Sequence, residues 1–354
     1  MGLERLIWFA AAFALALAGA LALERLAPRW GFVDRPGPRK IHQKPMPLLG
    51  GLAPFAAVAV CLVVLLAVSG TLTSGAVTVS PYLGFLVGGL VLMVGGALDD
   101  RFNLPPYVSI VAPVLAALAA IAGGIEISKL TNPFGGFGGP GVIELASWQS
   151  DVLVFFWLLA VMYTTKLLDG VDGLSSGVAG MGMAMVLGLS LSVAYFQPDV
   201  ALFAAVGLGA TLGFLVRNFH PAKIFLGEGG STFMGFLLGT LAVISGGKLA
   251  TALLVVGIPL LDVAWTVLRR LRTGGWKAVG RGDRRHLHHR LLDLGWSQRR
   301  VAVAYYLVAA AFGTAALFLQ SGAKLAALVL LGVLMLAAII FLDVYERRRT
   351  PAAN

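Results

Sequence analysis

Asp169 and Asp172 stand in the stretch Lys166–Leu174, K-L-L-D-G-V-D-G-L, between the apolar runs Val152–Met162 and Met181–Phe196. A carboxylate is costly in hydrocarbon, so acids between two apolar runs are functional by default. Gly170 and Gly173 disfavour a regular helix here and let a ligand approach the backbone. The stretch reads as a very short connection that holds acid groups at a membrane surface. Solvated turn carboxylates would be the plain alternative, but three further charged clusters are expected on the same side.

The first is Asp99-Asp100-Arg101 at the end of an apolar run. Neighbouring helical residues diverge by about 100°, so one aspartate faces a site while the other caps or orients. The second is Phe225–Thr232, F-L-G-E-G-G-S-T, which is glycine-rich and leads into a helix. Backbone N–H groups at such a place suit phosphate, although the Gly-Lys-Ser/Thr of a Walker A loop is missing. The third is Asp283–Arg290, D-R-R-H-L-H-H-R. Its histidines invite zinc, but the arginines among them oppose a cation and suit phosphate oxygens. Carboxylates recruit Mg²⁺, which keeps several waters and adds substrate phosphates to one or two protein oxygens. Arginine and histidine neutralise the remaining phosphate charge. The combination is that of phosphoryl transfer, in which positioning and charge neutralisation dominate. Its place at a bilayer surface points to one lipid phosphate and one soluble nucleotide.

The elements that must position these residues are membrane spans. Of 354 residues, 58% are hydrophobic and 12% charged, with mean hydropathy +0.87; soluble domains carry roughly 25% charge. A span needs about 20 apolar residues. About eleven segments qualify, near 6–25, 49–69, 81–98, 106–125, 151–168, 174–196, 199–216, 231–246, 249–267, 301–319 and 323–344. The predicted fold is therefore an all-α polytopic membrane protein, a single domain over 1–354 with its site built from loops. Basic residues crowd the odd-numbered connections and the tail Arg347–Arg349, whereas the even ones hold only Lys129, Lys248 and Lys324. This puts the N-terminus outside and the odd connections and C-terminus in the cytoplasm. The net charge of +10 then reflects topology and phosphate-bearing partners rather than nucleic acid. Leu6–Leu23 is longer than the core of a secretory signal. Cys61, the one cysteine, lies mid-span and makes neither a disulfide nor a cysteine metal site. The stretch 126–150 is turn-rich and expected to be irregular, and Ser297 is expected to cap the tenth span.

These motifs resemble, in order, those of the polyprenyl-phosphate N-acetylhexosamine-1-phosphate transferases, glycosyltransferase family 4. R-K-I-H-Q-K-P-M-P-L-L-G-G at Arg39–Gly51, L-D-D-R at Leu98–Arg101, L-L-D-G-V-D-G-L at Leu167–Leu174, F-L-G-E-G-G-S-T, I-P-L-L-D at Ile258–Asp262 and D-R-R-H-L-H-H at Asp283–His289 carry the likeness. The resemblance implies a Mg²⁺-dependent reaction, with Mn²⁺ as a substitute, in the cytoplasmic membrane with the site facing the cytoplasm. The phosphate of undecaprenyl phosphate would attack the β-phosphorus of a UDP-N-acetylhexosamine, releasing UMP and starting a surface glycan. Asp99 or Asp100 would position or deprotonate the lipid phosphate, Asp169 and Asp172 would shape the nucleotide site, and Glu228 would bind the metal. Arg39, Lys40, His42, Lys44, Lys166, Arg284, Arg285, His286, His288 and His289 would hold substrate, chiefly its phosphates. Dimers occur in such families, although nothing in this chain fixes an interface.

Two positions depart from the family pattern. The family usually has aspartate at Glu228 and asparagine at Lys166. A protonated lysine cannot ligate a metal, but it can pair with Glu228 or add its own charge to the metal's, so a rearranged metal site is expected. The D-R-R-H-L-H-H and R-K-x-H forms resemble the GlcNAc-1-phosphate branch; the phospho-N-acetylmuramoyl-pentapeptide transferases are the alternative. A transporter of lipid-linked sugars would place charges near the bilayer midplane rather than at span ends.

Overall fold

The computed structural model describes residues 2–37, 42–75, 77–132, 141–246, 249–274, 286–319 and 321–349. Each segment expected to span is helical. In chain order these helices are α1 (Leu3–Arg29), α2 (Leu52–Val68), α3 (Val79–Phe102), the pair α4 (Pro106–Ser109) and α5 (Val111–Ala122), α6 (Ser147–Leu168), α7 (Leu174–Leu191), α8 (Pro198–Asn218), α9 (Gly227–Ile244), α10 (Leu249–Gly274), the short α11 (Leu287–Asp293), α12 (Gln298–Phe318) and α13 (Ser321–Arg349). Among the described residues nine helices are long and apolar enough to cross a membrane, while Leu52–Val68 and Pro106–Ala122 are shorter. The chain is a helical, polytopic membrane protein.

The bundle is built around α9, whose apolar window is 89% buried, against 17% for α1 and α13. Helix α9 touches α2, α3, α6, α7, α8 and α10. Aromatic rings fill the space between α3, α8 and α9: Phe85 stacks on Phe236 at 5.3 Å and meets Phe203 edge-on at 5.1 Å. Small residues let backbones meet elsewhere, as is usual between membrane helices. Gly209 and Gly213 of α8 lie against the carbonyls of Phe9 and Phe13, with no room for a Cβ. Gly51 at the start of α2 abuts Gly230, and Gly96 of α3 abuts Gly229, again leaving no room for a side chain.

Those glycine contacts explain a difference from the sequence reading. The stretch F-L-G-E-G-G-S-T was expected to be a loop leading into a span near 231. Most of it forms the first turns of α9, which begins at Gly227. Glycine is a poor helix former by about 1 kcal/mol, but only glycine permits the contacts with α2 and α3. The stretch 126–150 is also more regular than expected. Lys129–Thr131 (β3) pairs antiparallel with Val142–Glu144 (β4), and α6 begins at Ser147. The β-branched Thr131, Val142 and Ile143 suit this ribbon; residues 133–140 lie outside the described residues. On the other side, Val33–Asp34 (β1) pairs with Met46–Pro47 (β2) and folds the first connection back on itself. Ser297 caps α12 as expected, its Oγ accepting the Arg300 N–H at 3.3 Å.

Candidate active site

The acids converge where α3 and α6 end and α9 begins. Asp100 Oδ1 and Oδ2 accept the backbone N–H of Glu228 at 3.1 and 3.3 Å. Asp99 turns the other way, and its Oδ1 accepts the Leu104 N–H at 2.9 Å, closing the end of α3 behind the left-handed Asn103. Of the two adjacent aspartates, Asp99 is the one that caps. The Glu228 N–H, in the first turn of α9, is thus engaged by Asp100. Gly227, at φ +73°, has no space for a Cβ beside that carboxylate, which is why glycine precedes Glu228.

Lys166, in the last turn of α6, forms an ion pair with Glu228, and its ammonium lies 5.2 Å from the Tyr163 ring centre. The pairing anticipated from the two departures is therefore present. Asp169 follows at the C-terminal cap of α6. Burial first, and then the negative charges of Asp100, Glu228 and Asp172, push the Asp169 carboxyl well above the usual carboxylate range. Gly173, at φ +74°, turns the chain into α7, and the Tyr306 hydroxyl of α12 donates to its carbonyl at 2.5 Å. Asp172 accepts twice on Oδ2, from His220 Nδ1 at 2.8 Å and from the Ala222 N–H at 3.1 Å. Its own N–H donates to Gln298 Oε1 at 3.1 Å.

A cavity of about 570 Å³ opens beside this loop, lined by Asp169 and Asp172, by Asp34, His42 and Lys44 of the folded-back first connection, by Phe225 and by His220 and His289. His42 Nε2 is 3.5 Å from Asp34 Oδ2, and its ring meets Phe225 edge-on at 5.3 Å. His286 is buried and its Nδ1 lies 2.7 Å from Asp262 Oδ2. The rings of His286 and His288 stack at 5.8 Å, and those of His288 and His289 lie 4.3 Å apart. A Cβ on Gly170 would come within 3.0 Å of His288 Nε2 and 3.2 Å of His289 Cε1, so the histidine arm rests on the aspartate loop. Burial and the neighbouring His289 and His286 hold His288 well below the ordinary imidazole value, so it is neutral at physiological pH. Arg39, Lys40, Arg284 and Arg285 lie outside the described residues.

Among the described residues no group of three or more His, Cys, Asp or Glu side chains is set to hold a metal ion. The donors that do converge, Asp100, Asp169 and Glu228, are hard oxygens, and Lys166 occupies one Glu228 oxygen. Such a set fits a hydrated Mg²⁺ with one or two protein ligands, not a closed protein cage.

A model of the family described as Glycosyl transferase family 4 matches residues 82–246, which carry Asp99, Asp100, Asp169, Asp172, His220 and Glu228. The chain is 31% identical to the probable undecaprenyl-phosphate N-acetylglucosaminyl 1-phosphate transferase of Bacillus subtilis (strain 168), over 90% of this chain and 87% of that protein. It is 33% identical to the decaprenyl-phosphate N-acetylglucosaminephosphotransferase of Mycobacterium tuberculosis (strain ATCC 25618 / H37Rv), over 91% and 84% of the two chains. The chain belongs to glycosyl transferase family 4. A further family 4 relative, the undecaprenyl-phosphate alpha-N-acetylglucosaminyl 1-phosphate transferase of Escherichia coli (strain K12), is 30% identical over 81% of this chain and 76% of its own.

Three residues of this family 4 site escaped sequence reasoning. His220 falls in the connection after the expected span near 199–216, Asp262 in a motif without an assigned role, and Tyr306 within the expected span near 301–319. Pro221 marks a turn after His220, but nothing in the spacing ties that turn to Asp172.

Proposed function

We propose that this protein transfers N-acetylglucosamine 1-phosphate from UDP-N-acetylglucosamine to a polyprenyl phosphate. An oxygen of the lipid phosphate forms a bond to the β-phosphorus of the donor. The bond from that phosphorus to the bridging oxygen breaks, and UMP leaves with the electron pair. The observation that carries this reading is the convergence of Asp100, Asp169 and Glu228, with Lys166 among them, on one end of three helices beside a cavity of about 570 Å³.

Each residue then has a task. Asp100 fixes the start of α9 and faces the lipid phosphate, and Asp99 holds the end of α3. Glu228 and Asp169 would hold Mg²⁺, which supplies charge neutralisation to the diphosphate when bound. Lys166 keeps Glu228 in place and adds a positive charge within reach of a phosphate. Asp172 serves the nucleotide. His42, Lys44 and His289 line the cavity and would donate to phosphates, a role also assigned to Arg39, Lys40, Arg284 and Arg285, which lie outside the described residues; His286 orients the arm, and the His288 ring packs between those of His286 and His289. In the membrane we place eleven spans, counting Leu52–Val68 and Pro106–Ala122, with the N-terminus outside and the site at the cytoplasmic face of the cell membrane, as the basic connections favour.

UMP release by the detergent-purified protein tests this directly. Undecaprenyl phosphate is supplied with UDP-GlcNAc, UDP-GalNAc or UDP-MurNAc-pentapeptide, with and without Mg²⁺. Mg²⁺-dependent release with UDP-GlcNAc alone is the expected result. Release only with the muramoyl donor would reassign the branch, and silence with all three from folded protein would overturn the reaction.

A further inference from the structure

Asp172 is held unusually firmly for a carboxylate on a cavity wall. One of its oxygens, Oδ2, takes both the His220 ring and the Ala222 N–H, at 2.8 and 3.1 Å. An ionised carboxylate only accepts, so His220 Nδ1 carries the hydrogen. Among the described residues Oδ1 has no hydrogen-bond partner. The Asp172 side chain is 14% exposed and its partner His220 34% exposed, and both line the cavity.

The loop that carries His220 is braced on every side. Asn218 donates from Nδ2 to the Ile224 carbonyl at 3.0 Å and accepts from Ser176 Oγ at 2.7 Å. The Lys223 N–H returns to the Arg217 carbonyl at 2.8 Å, and the Phe225 N–H reaches the Pro47 carbonyl at 2.9 Å. Gly173 lies against the Phe219 backbone, so the loop is pressed onto the aspartate turn. His220 is therefore a fixed donor, and the plane of the Asp172 carboxylate is fixed with it.

We propose that His220 is a positioning residue for recognition of the nucleotide's pyrimidine. By holding Oδ2 it presents Oδ1 to the cavity as an acceptor for a ring N–H, with the Phe225 ring available beside it for a flat base. A pyrimidine-2,4-dione offers such an N–H at N3. A cytosine has a lone pair at that atom, which a fixed carboxylate oxygen repels. A polar group built for one hydrogen-bond pattern discriminates strongly against the reverse pattern. This inference rests on the reading that Asp172 serves the nucleotide.

The test is calorimetric titration of UDP and CDP into full-length detergent-purified protein, wild type and His220→Ala, His220→Asn and His220→Gln, with melting curves as the folding control. The expected wild-type preference for UDP is tenfold or more, on the order of a charged hydrogen bond. His220→Ala weakens UDP about tenfold and leaves CDP unchanged. His220→Asn places an amide N–H where Nδ1 stood and restores the preference, whereas His220→Gln, which mimics Nε2, does not. Absence of a UDP preference in the wild type, or its retention in His220→Ala, overturns the proposal. Rescue by Gln instead of Asn overturns it too, since the ring would then act directly on the ligand. Should His220→Ala fail to fold, the Asn and Gln pair decides alone. UMP release by the wild type is scored separately, so failure of the transfer reaction leaves the nucleotide result legible.

Discussion

Asp262 Oδ2 lies 2.7 Å from His286 Nδ1, and Asp262 Oδ1 accepts the Leu287 N–H at 3.1 Å. One carboxylate from the middle of α10 thus fixes both the ring and the main chain of the histidine arm. His288 stacks on His286, and His289 lies tilted against His288, both reaching towards Gly170. Asp262→Ala leaves two buried donors without acceptors, at about 1–3 kcal/mol each. The expected result is a lower melting temperature and at least about tenfold slower UMP release. Asp262→Asn keeps an oxygen for the Leu287 N–H and falls between. Wild-type melting and turnover in Asp262→Ala would show that the arm is held by other means.

The Lys166–Glu228 pair predicts an altered response to metal. Lys166→Asn removes a cation from the place where a divalent ion is to bind, so the Mg²⁺ concentration for half-maximal UMP release falls. Glu228→Gln removes a donor oxygen and raises it. Each single change also leaves a partly buried charge unpaired, which costs about 1–3 kcal/mol after allowance for solvent. The double change Lys166→Asn/Glu228→Gln removes both charges together and melts closer to wild type than either single change does. Equal Mg²⁺ requirements in all variants would refute this account.

For Asp169 the direction of the pKa shift fixes the direction of a pH effect. Its carboxyl is raised, by burial first and by neighbouring carboxylates next. The folded protein therefore keeps a proton that the unfolded chain releases. The resulting stabilisation is complete below the unfolded carboxylate range and is lost as pH rises through the raised value. Metal-free wild type is expected to lose thermal stability relative to Asp169→Asn as pH rises above the unfolded carboxylate range and through the raised value. Parallel melting curves for the two proteins across that range would contradict it.

Gly96→Ala tests the backbone contact beside the acids. A Cβ there collides with Gly229, one residue from Glu228. Overpacking of this kind costs about 1–3 kcal/mol, and here it also pushes the Glu228 N–H off Asp100, so UMP release collapses. Gly188→Ala is the control, since its Cβ would meet only Leu317 Cδ1 at an ordinary 3.7 Å. Equal activity of the two variants would remove the contact from the mechanism.

The spans were legible in the sequence because twenty apolar residues in a row leave few alternatives. The turn at Asp169–Gly173 was legible as well, because its glycines interrupt two strong runs. The start of α9 was not. Local propensity argues against helix at Gly227, Gly229 and Gly230, and it is overruled by neighbours at positions 51 and 96 that only the folded bundle brings close. The reading of Lys166 against Glu228 succeeded because both positions stood out from an ordered set of motifs. His220 escaped because its partner is 48 residues away in the chain and its own surroundings look like the polar end of a span. The ribbon at 129–144 was hidden by the proline and glycine residues between its arms.

The glycine contacts of α2, α3 and α9 have a mechanical consequence. Three helices that touch through main chain cannot slide or tilt past one another without collision, so they move as one block. The outer helix α13, buried over only 17% of its apolar window, meets the surrounding lipid in their place. Changes in bilayer thickness or lateral pressure are absorbed by that outer helix, and the spacing between Asp100 and Glu228 is insulated from the state of the membrane that holds them.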